Sequence, residues 1–539
     1  MRRKSKPGAG EALVRLVSLA MLVCLGSGTV EAKAPKPTAV VVAVSPQGND
    51  AADGSVAHPV RTLEQAQRLV RRSNTEHDVQ VQLAPGVYRL QQALVFRAAD
   101  GGRNGHTVEW TAAPCAAEQA CASPVISGAL RVTHWLPYNQ EGHIFVADTP
   151  IGLEARELWV NGHLASRTAV ELARKQLQFT RQGVTVSAEA QAVLAELAKQ
   201  PQRHLELFAT GYFTSRVAPV ARMDGNTLVM QQPAWQNNLW GYDTIEDPFG
   251  PESAHLYLVN SLALLRHPGE WYLDPERGKL YLWPAEGVSL DQADVELPRL
   301  TTLVAVGDSI EDPVQDLAIR GITFSYTSWL GPSSPEGYAS QQSGSYLAGR
   351  AAYPDDPIGT CSKGCPAFET VRNDWSQMPA SVQVAAAQRI TLDQDTFAHL
   401  GQYALGIGND ADANLNQVGL GTSDITVSRC LFQDGAGGAI LAGGVQRDAH
   451  HPHDRRLLNR ELIVENNRVE AVSQEYRDNS AILETYFDQA QIVHNEIANV
   501  PYDAIDIGYG WGMHDAGGNS NYRVRMHGYD SPQNLIYTT

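Results

Sequence analysis

Across residues 389–539 apolar positions come in pairs two apart, break at one polar or small residue, and then resume. Ile390, Leu392, Asp395 and Phe397 stand at offsets 0, 2, 5 and 7, and Ile425, Val427, Cys430 and Phe432 repeat them. Leu462, Val464, Asn467 and Val469 form a third copy, Ala490, Ile492, Asn495 and Ile497 a weaker fourth, and Leu317, Ile319, Ile322 and Phe324 an earlier outlier. Alternation with a period of two on both sides of a break predicts strand, corner, strand. A second apolar strand follows each late copy, at residues 404–408, 439–443, 481–484 and 504–508. The late copies are 35, 37 and 28 residues apart, counted from Ile390 to Ile425, Leu462 and Ala490. Such unequal steps suit a solenoid with loops of varying length better than the even blades of a propeller. The pattern therefore predicts an all-β chain built as a right-handed parallel β-helix. An antiparallel β-sandwich with chance spacing is the competing reading.

Upstream, Val40 to Val44 alternates as a strand, and the polar loop after it carries Asp50 and Asp53, read as turn residues rather than a calcium loop. Thr62, Leu63, Glu64 and Gln65 have the form of a capping box, and Leu63, Ala66, Leu69 and Val70 make one apolar stripe. A helix there would cap the open end of the stack and block edge-to-edge pairing. Between residues 151 and 300 the rhythm stops and hairpin signals appear, Asn161 with Gly162 and Asp274 with Pro275 among them, which predicts an inserted β-sandwich domain. Its aromatic residues Trp235, Trp240, Tyr242, Tyr257, Trp271, Tyr272 and Tyr281 serve either a core or sugar stacking. The expected organisation is a signal peptide at 1–32, a cap and first coils at 38–150, the insertion at 151–300, and further coils at 301–539. Residues 326–380 form a long Gly-, Pro- and Ser-rich loop of the kind that walls a binding site.

Residues 1–32 open with Arg2, Arg3, Lys4 and Lys6 and continue into an apolar run at 16–25, the form of a secretory signal. The expected location is secreted or periplasmic; a lipidated Cys24 is the alternative. Export favours disulfides joining Cys115 to Cys121 and Cys361 to Cys365, with zinc as the weaker reading, while Cys430 reads as a buried, inert thiol. A net charge of −17 and a pI near 5.4 argue against nucleic acid as a partner. Carbohydrate is the expected partner, with no cofactor, no metal ion, no membrane contact once the signal is removed, and a monomeric state.

Aligning the second strands puts Gly406, Leu441, Leu483 and Asp506 in one column and Ile407, Ala442, Glu484 and Ile507 in the next. Glu484 and Asp506 thus lie on neighbouring coils, roughly one strand spacing of ~4.8 Å apart. Two neighbouring carboxyls are what glycoside hydrolysis needs, one to protonate the leaving oxygen and one to act as nucleophile or activate water. Asp515 is the third acid candidate. Tyr486, Tyr509, Trp511, His514 and Asp410 are the candidates for binding substrate, the aromatic ones by stacking on sugar rings.

Gly48 to Gly54 with Pro59, Trp271 to Pro275 with Gly278 to Trp283, and residues 504–512 together resemble the β-helix glycoside hydrolase family that includes α-L-fucosidases and xylanases. The resemblance implies an inserted sandwich and two catalytic aspartates in late coils, the first at Asp506 or Asp515 and the second in a later Asp-Gly-Gly coil. Here Asp515, Ala516, Gly517 and Gly518 come close but arrive early, and the sequence stops at Thr539. Either the sequence is a truncated one, or its activity is lost or rebuilt around Glu484 and Asp515. Two rivals stay open: a lyase acting on uronate chains, using Arg447, Arg455, Arg456 or His451, and a non-catalytic carbohydrate-binding solenoid. The absence of lysine after Lys363 counts against the lyase.

Overall fold

A computed structural model describes residues 39–114, 122–139, 142–349, 357–371, 375–409, 419–446, 449 and 452–508. The recurring pattern folds into stacked coils, each giving one strand to each of three sheets of eight, seven and seven strands. Neighbouring strands within these sheets run parallel, so the chain is an all-β parallel β-helix. Matching positions stack in register: Ile390 on Ile425, Leu462 and Ala490 in the first sheet. Phe397 stacks on Phe432, Val469 and Ile497 in the second. These rows meet in one continuous apolar core.

Each corner is built the same way. The residue before offset 5 has positive φ in every late copy: Gln394 (59°), Arg429 (54°), Asn466 (56°) and His494 (55°). A left-handed residue turns the chain sharply, and where the residue after it is Asp or Asn its side chain caps the preceding coil's backbone. Asp395 accepts from the Ile322 N–H at 2.9 Å, Asn467 from Cys430 at 2.9 Å, and Asn495 from Asn467 at 3.0 Å. Cys430 occupies one rung of this ladder, buried and unbonded to another cysteine, with burial pushing its thiol pKa far up. It is an inert structural thiol.

Inside the second sheet Phe397 lies 5.2 Å from Phe324 and 4.6 Å from Phe432, ring on ring. Truncation there removes contacts on both sides. Phe397→Ala is expected to destabilise the fold by about 3–5 kcal/mol, read as a shift in the denaturant midpoint.

Two earlier coils, within the residues 38–150 where first coils are expected, lack the full offset pattern of the later ones. Val79 and Val81 pair with Val108 and Trp110, and these with Leu317 and Ile319, so the spiral starts well before the insertion and resumes after it. Helix Leu63–Val70 packs against this first part, with Thr62 accepting from the Gln65 N–H at 3.2 Å. Gln65 does not complete the expected box. Asp50 does so instead, accepting from the Thr62 N–H at 2.9 Å and from Arg61 at 2.8 Å.

Between Ala129–Arg131 and Val295–Pro298 the strand pairs turn antiparallel, apart from Ser166–Arg167 with Glu270–Asp274, and gather round two apolar cores. One centres on Leu207, Leu256, Leu258 and Trp235, the other on Trp271, Leu273, Leu280 and Val295. The long loop joins in: Tyr338–Ser340 pairs with Ser215–Asp224 of the insertion, and Ser345–Leu347 and Ser376–Gln377 extend the same sheet. Insertion and loop thereby form one wall beside the third sheet of the spiral. Among the described residues no helix is long and apolar enough to cross a membrane.

Candidate active site

The third sheet fixes which way each acid points. Gly406, Leu441, Leu483 and Asp506 do stack in one column, and Ile407, Ala442, Glu484 and Ile507 in the next. Side chains one residue apart in a strand point to opposite faces. Ile407, Ala442 and Ile482 belong to the spiral's interior core, whereas Leu441 and Leu483 pack outward against Trp329, Tyr338, Tyr403 and Tyr476. Asp506 therefore faces out, beneath the wall, and Glu484 faces in. The pair expected of these two acids is not formed, because a one-residue offset in column reverses the face.

Glu484 is 2% exposed, and its carboxyl accepts from the Phe487 N–H at 3.3 Å. Burial pushes its pKa from an ordinary 4.5 up to about 8. The folded state thus holds a proton that the unfolded chain gives up. The associated stability is complete below pH 4.5 and is lost progressively as pH rises to about 8. Glu484→Gln is expected to flatten this decline and to raise stability at alkaline pH by on the order of a few kcal/mol. Unfolding curves followed across that range would show it, with hydrolysis retained.

Around Asp506 the surroundings are polar and tightly connected. Its Oδ2 accepts from Ser343 Oγ at 3.2 Å and from Ser480 Oγ at 3.5 Å, and the two hydroxyls lie 2.8 Å apart. Ser343 reaches this point from the turn joining Tyr338–Ser340 to Ser345–Leu347, where Gln342 (φ 104°) and Ser343 (φ 49°) both adopt uncommon backbone angles. Strain of this kind persists only where surrounding contacts hold it. Ser343 N–H donates to the Asp478 carbonyl at 3.0 Å, and the Gln342 amide donates to the Tyr502 hydroxyl. Beneath the turn, Asp478 is fully buried, accepting from Ser340 at 2.5 Å and Tyr338 at 3.3 Å. Burial raises the Asp478 pKa, and its other oxygen has no partner.

Asp506 itself is half-buried. Burial pushes its pKa above the usual aspartate value and the Asp503 charge adds to this, while the Ser343 and Ser480 hydroxyls pull the other way. Tyr502 stands over the same acids, its own pKa driven up to about 12 by burial and by the charges of Asp503, Asp506 and Asp478. Tyr502 and Asp478 also line a cavity of about 610 Å³ whose far side is the insertion, at Phe208, Tyr212, His255 and Tyr257. A partly desolvated carboxyl at the edge of a groove can keep a proton and deliver it.

Other expectations fare differently. Tyr486 is buried with Trp240, Phe368 and Trp375 in a separate apolar cluster, so it fills space rather than meeting substrate. Asp410, Tyr509, Trp511, His514 and Asp515 lie outside the described residues, as do Cys115 and Cys121. The Cys361–Cys365 disulfide is formed. Trp235, Trp240 and Trp271 are core residues, while Tyr257 faces the cavity. Of the arginines weighed for a lyase, Arg456 is held by Asp454 at 2.5 Å and Glu311 at 3.3 Å; Arg447 and His451 lie outside the described residues. No cluster of three or more potential metal ligands occurs among the described residues. Ser343, Asp478, Tyr502, Phe208, His255 and Arg477 were not singled out from sequence. Alternation of His255 and Tyr257 with Leu256 and Leu258 was the one signal that could have marked the cavity-facing positions.

Residues 142–285 match the family model of the GH141 insertion domain. A solved structure described as a glycoside hydrolase is 26% identical, with TM-score 0.70 over 87% of this chain and 80% of that one. A complex of XylC with xylose is 12% identical, TM-score 0.44, over 87% and 62% of the two chains. A rhamnogalacturonan lyase is 9% identical, TM-score 0.27, over 89% and 65%. No curated protein matches the chain. Fold, insertion and the first of these structures together define a glycoside hydrolase of the β-helix type. More particularly, the insertion that walls its groove is similar to the GH141 insertion domain.

Proposed function

We propose that the protein is exported and hydrolyses glycosidic bonds in a plant or microbial polysaccharide or oligosaccharide, with Asp506 as the carboxyl that protonates the leaving oxygen. The observation that carries this is the orientation of Asp506 out of the coil, toward the Ser343 and Ser480 hydroxyls and within electrostatic reach of Tyr502, which lines the 610 Å³ cavity. Burial keeps the proton on the acid, and Ser343 and Ser480 stabilise the carboxylate left after transfer. The complementary carboxyl, which activates water or attacks the sugar, falls to Asp515 on the sequence reading; Glu484 is excluded by its inward orientation. Hydrolysis by this pair needs no cofactor. Export rests on the form of residues 1–32, and the monomeric state is part of the same proposal.

Screening on aryl glycosides and on plant and microbial polysaccharides separates the readings. A hydrolase releases the phenol from aryl glycosides and reducing ends from polysaccharides, without unsaturated uronate ends. A lyase would give an unsaturated product, and a binding module would give neither.

A further inference from the structure

The insertion presents the cavity with more than a wall. In Glu206–Thr210 and His255–Val259, Leu207, Ala209, Leu256 and Leu258 turn into the insertion's core. Phe208, Thr210, His255 and Tyr257 consequently face the other way, with Phe208 directly opposite Tyr257 and Thr210 opposite His255. The Phe208 and Tyr257 rings lie 6.3 Å apart and 28° from parallel; His255 lies 6.1 Å from Tyr257 at 23°. Three nearly parallel rings, stacked one beside the next, make an aromatic shelf.

Across from it stands Arg477. This side chain is exposed and lines both the 610 Å³ cavity and an adjoining one of about 320 Å³, each shared with Phe208 and Tyr257. Its neighbours in the smaller cavity are neutralised: Arg156 and Arg167 are held by Glu206, and Arg156 also by Glu475. Arg477 has no carboxylate partner among the described residues, in a chain of net charge −17. Asp478, next in sequence, directs its carboxyl to Ser340 and Tyr338 instead. Burial and then the Glu171 charge raise the Tyr257 hydroxyl pKa, and the Arg477 charge opposes them; Glu171 is itself held by His255 at 2.8 Å, while Arg477 is not.

We propose that this shelf and Arg477 form a glycan-binding subsite for a sugar bearing an acidic group, its ring stacked on Tyr257 and Phe208 and its carboxylate or sulfate paired with the guanidinium. Apolar faces of sugar rings stack on flat aromatics, and a guanidinium pairs with a planar oxyanion through two parallel hydrogen bonds. An acidic protein surface repels acidic glycans, so taking one requires a local cation such as this. The inference deepens the glycoside hydrolase reading and rests on it: the subsite would hold a part of the substrate beyond the bond being cut.

The test uses the full chain, kept cold to suppress turnover, on a panel of immobilised acidic polysaccharides. Each is accompanied by its carboxyl-reduced or desulfated counterpart. Wild type is expected to retain acidic members over their neutralised partners, and the carboxylate and sulfate pairs show which anion is taken. Arg477→Gln should weaken that retention about tenfold and abolish the preference. Tyr257→Ala should weaken it too, while Tyr257→Phe, which keeps the ring, should bind as wild type does. No preference for acidic members, or an Arg477→Gln variant that binds like wild type, would overturn the subsite. Asp506→Asn separates the two claims, since it should keep the retention pattern. Cleavage surviving in that variant would remove the catalytic assignment and leave the subsite standing.

Discussion

Replacing Asp506 by Asn is expected to cut hydrolysis by roughly a hundredfold to ten-thousandfold, the usual contribution of a positioned proton donor. Thermal unfolding should barely change. The side chain is half-buried on the outer face, and an amide can still accept hydrogen bonds from Ser343 and Ser480. Turnover of activated aryl glycosides, whose leaving groups need little protonation, should fall less than turnover of natural glycans. Parallel loss of activity and of cooperative unfolding would instead make Asp506 a structural residue.

The largest expected effect on stability lies at the joint between insertion, loop and spiral. Arg156 and Glu206 are 1% and 2% exposed and bonded at 2.9 Å. Arg156 also reaches Glu475 at 2.8 Å and Ser333 at 2.7 Å, and Arg167 reaches Glu206 at 2.6 Å. Burial alone would raise the Glu206 pKa, but Arg156 and Arg167 hold it down to about 2. Its contribution to stability is thus present above pH 4.5 and lost as pH falls towards 2. Arg156→Met leaves Glu206 and Glu475 short of a partner and is expected to cost about 3–5 kcal/mol. Adding Glu206→Gln to that variant should recover part of the loss, because the uncompensated charge goes with it. Denaturant titrations of both variants would test this; a single substitution costing under about 1 kcal/mol would assign the network a minor role.

The spiral was legible because its interior is written in a short period. Ile390, Ile425, Leu462 and Ala490 recur with their corner residues, and each late corner has a left-handed residue, followed in three of the four by a capping Asp or Asn. The coils at Val79 and Val108 were harder to read, since the insertion separates the second from the coil at Leu317 that it touches. The two acid columns were read correctly, but sharing a neighbourhood is not sharing a face: Glu484 and Asp506 differ by one position in register, and that parity decides which carboxyl meets solvent. The insertion's share of the groove was not legible. Phe208, His255 and Tyr257 acquire their setting only when antiparallel strands far from the coil acids fold back against the loop at Arg477.

Cleavage in water labelled with heavy oxygen tests the central claim most directly. If an outward carboxyl on a late coil drives hydrolysis, each new reducing end carries one labelled oxygen, and Asp506→Asn forms almost none of this product. Unlabelled unsaturated ends, or labelled ends formed by Asp506→Asn as fast as by wild type, would contradict it.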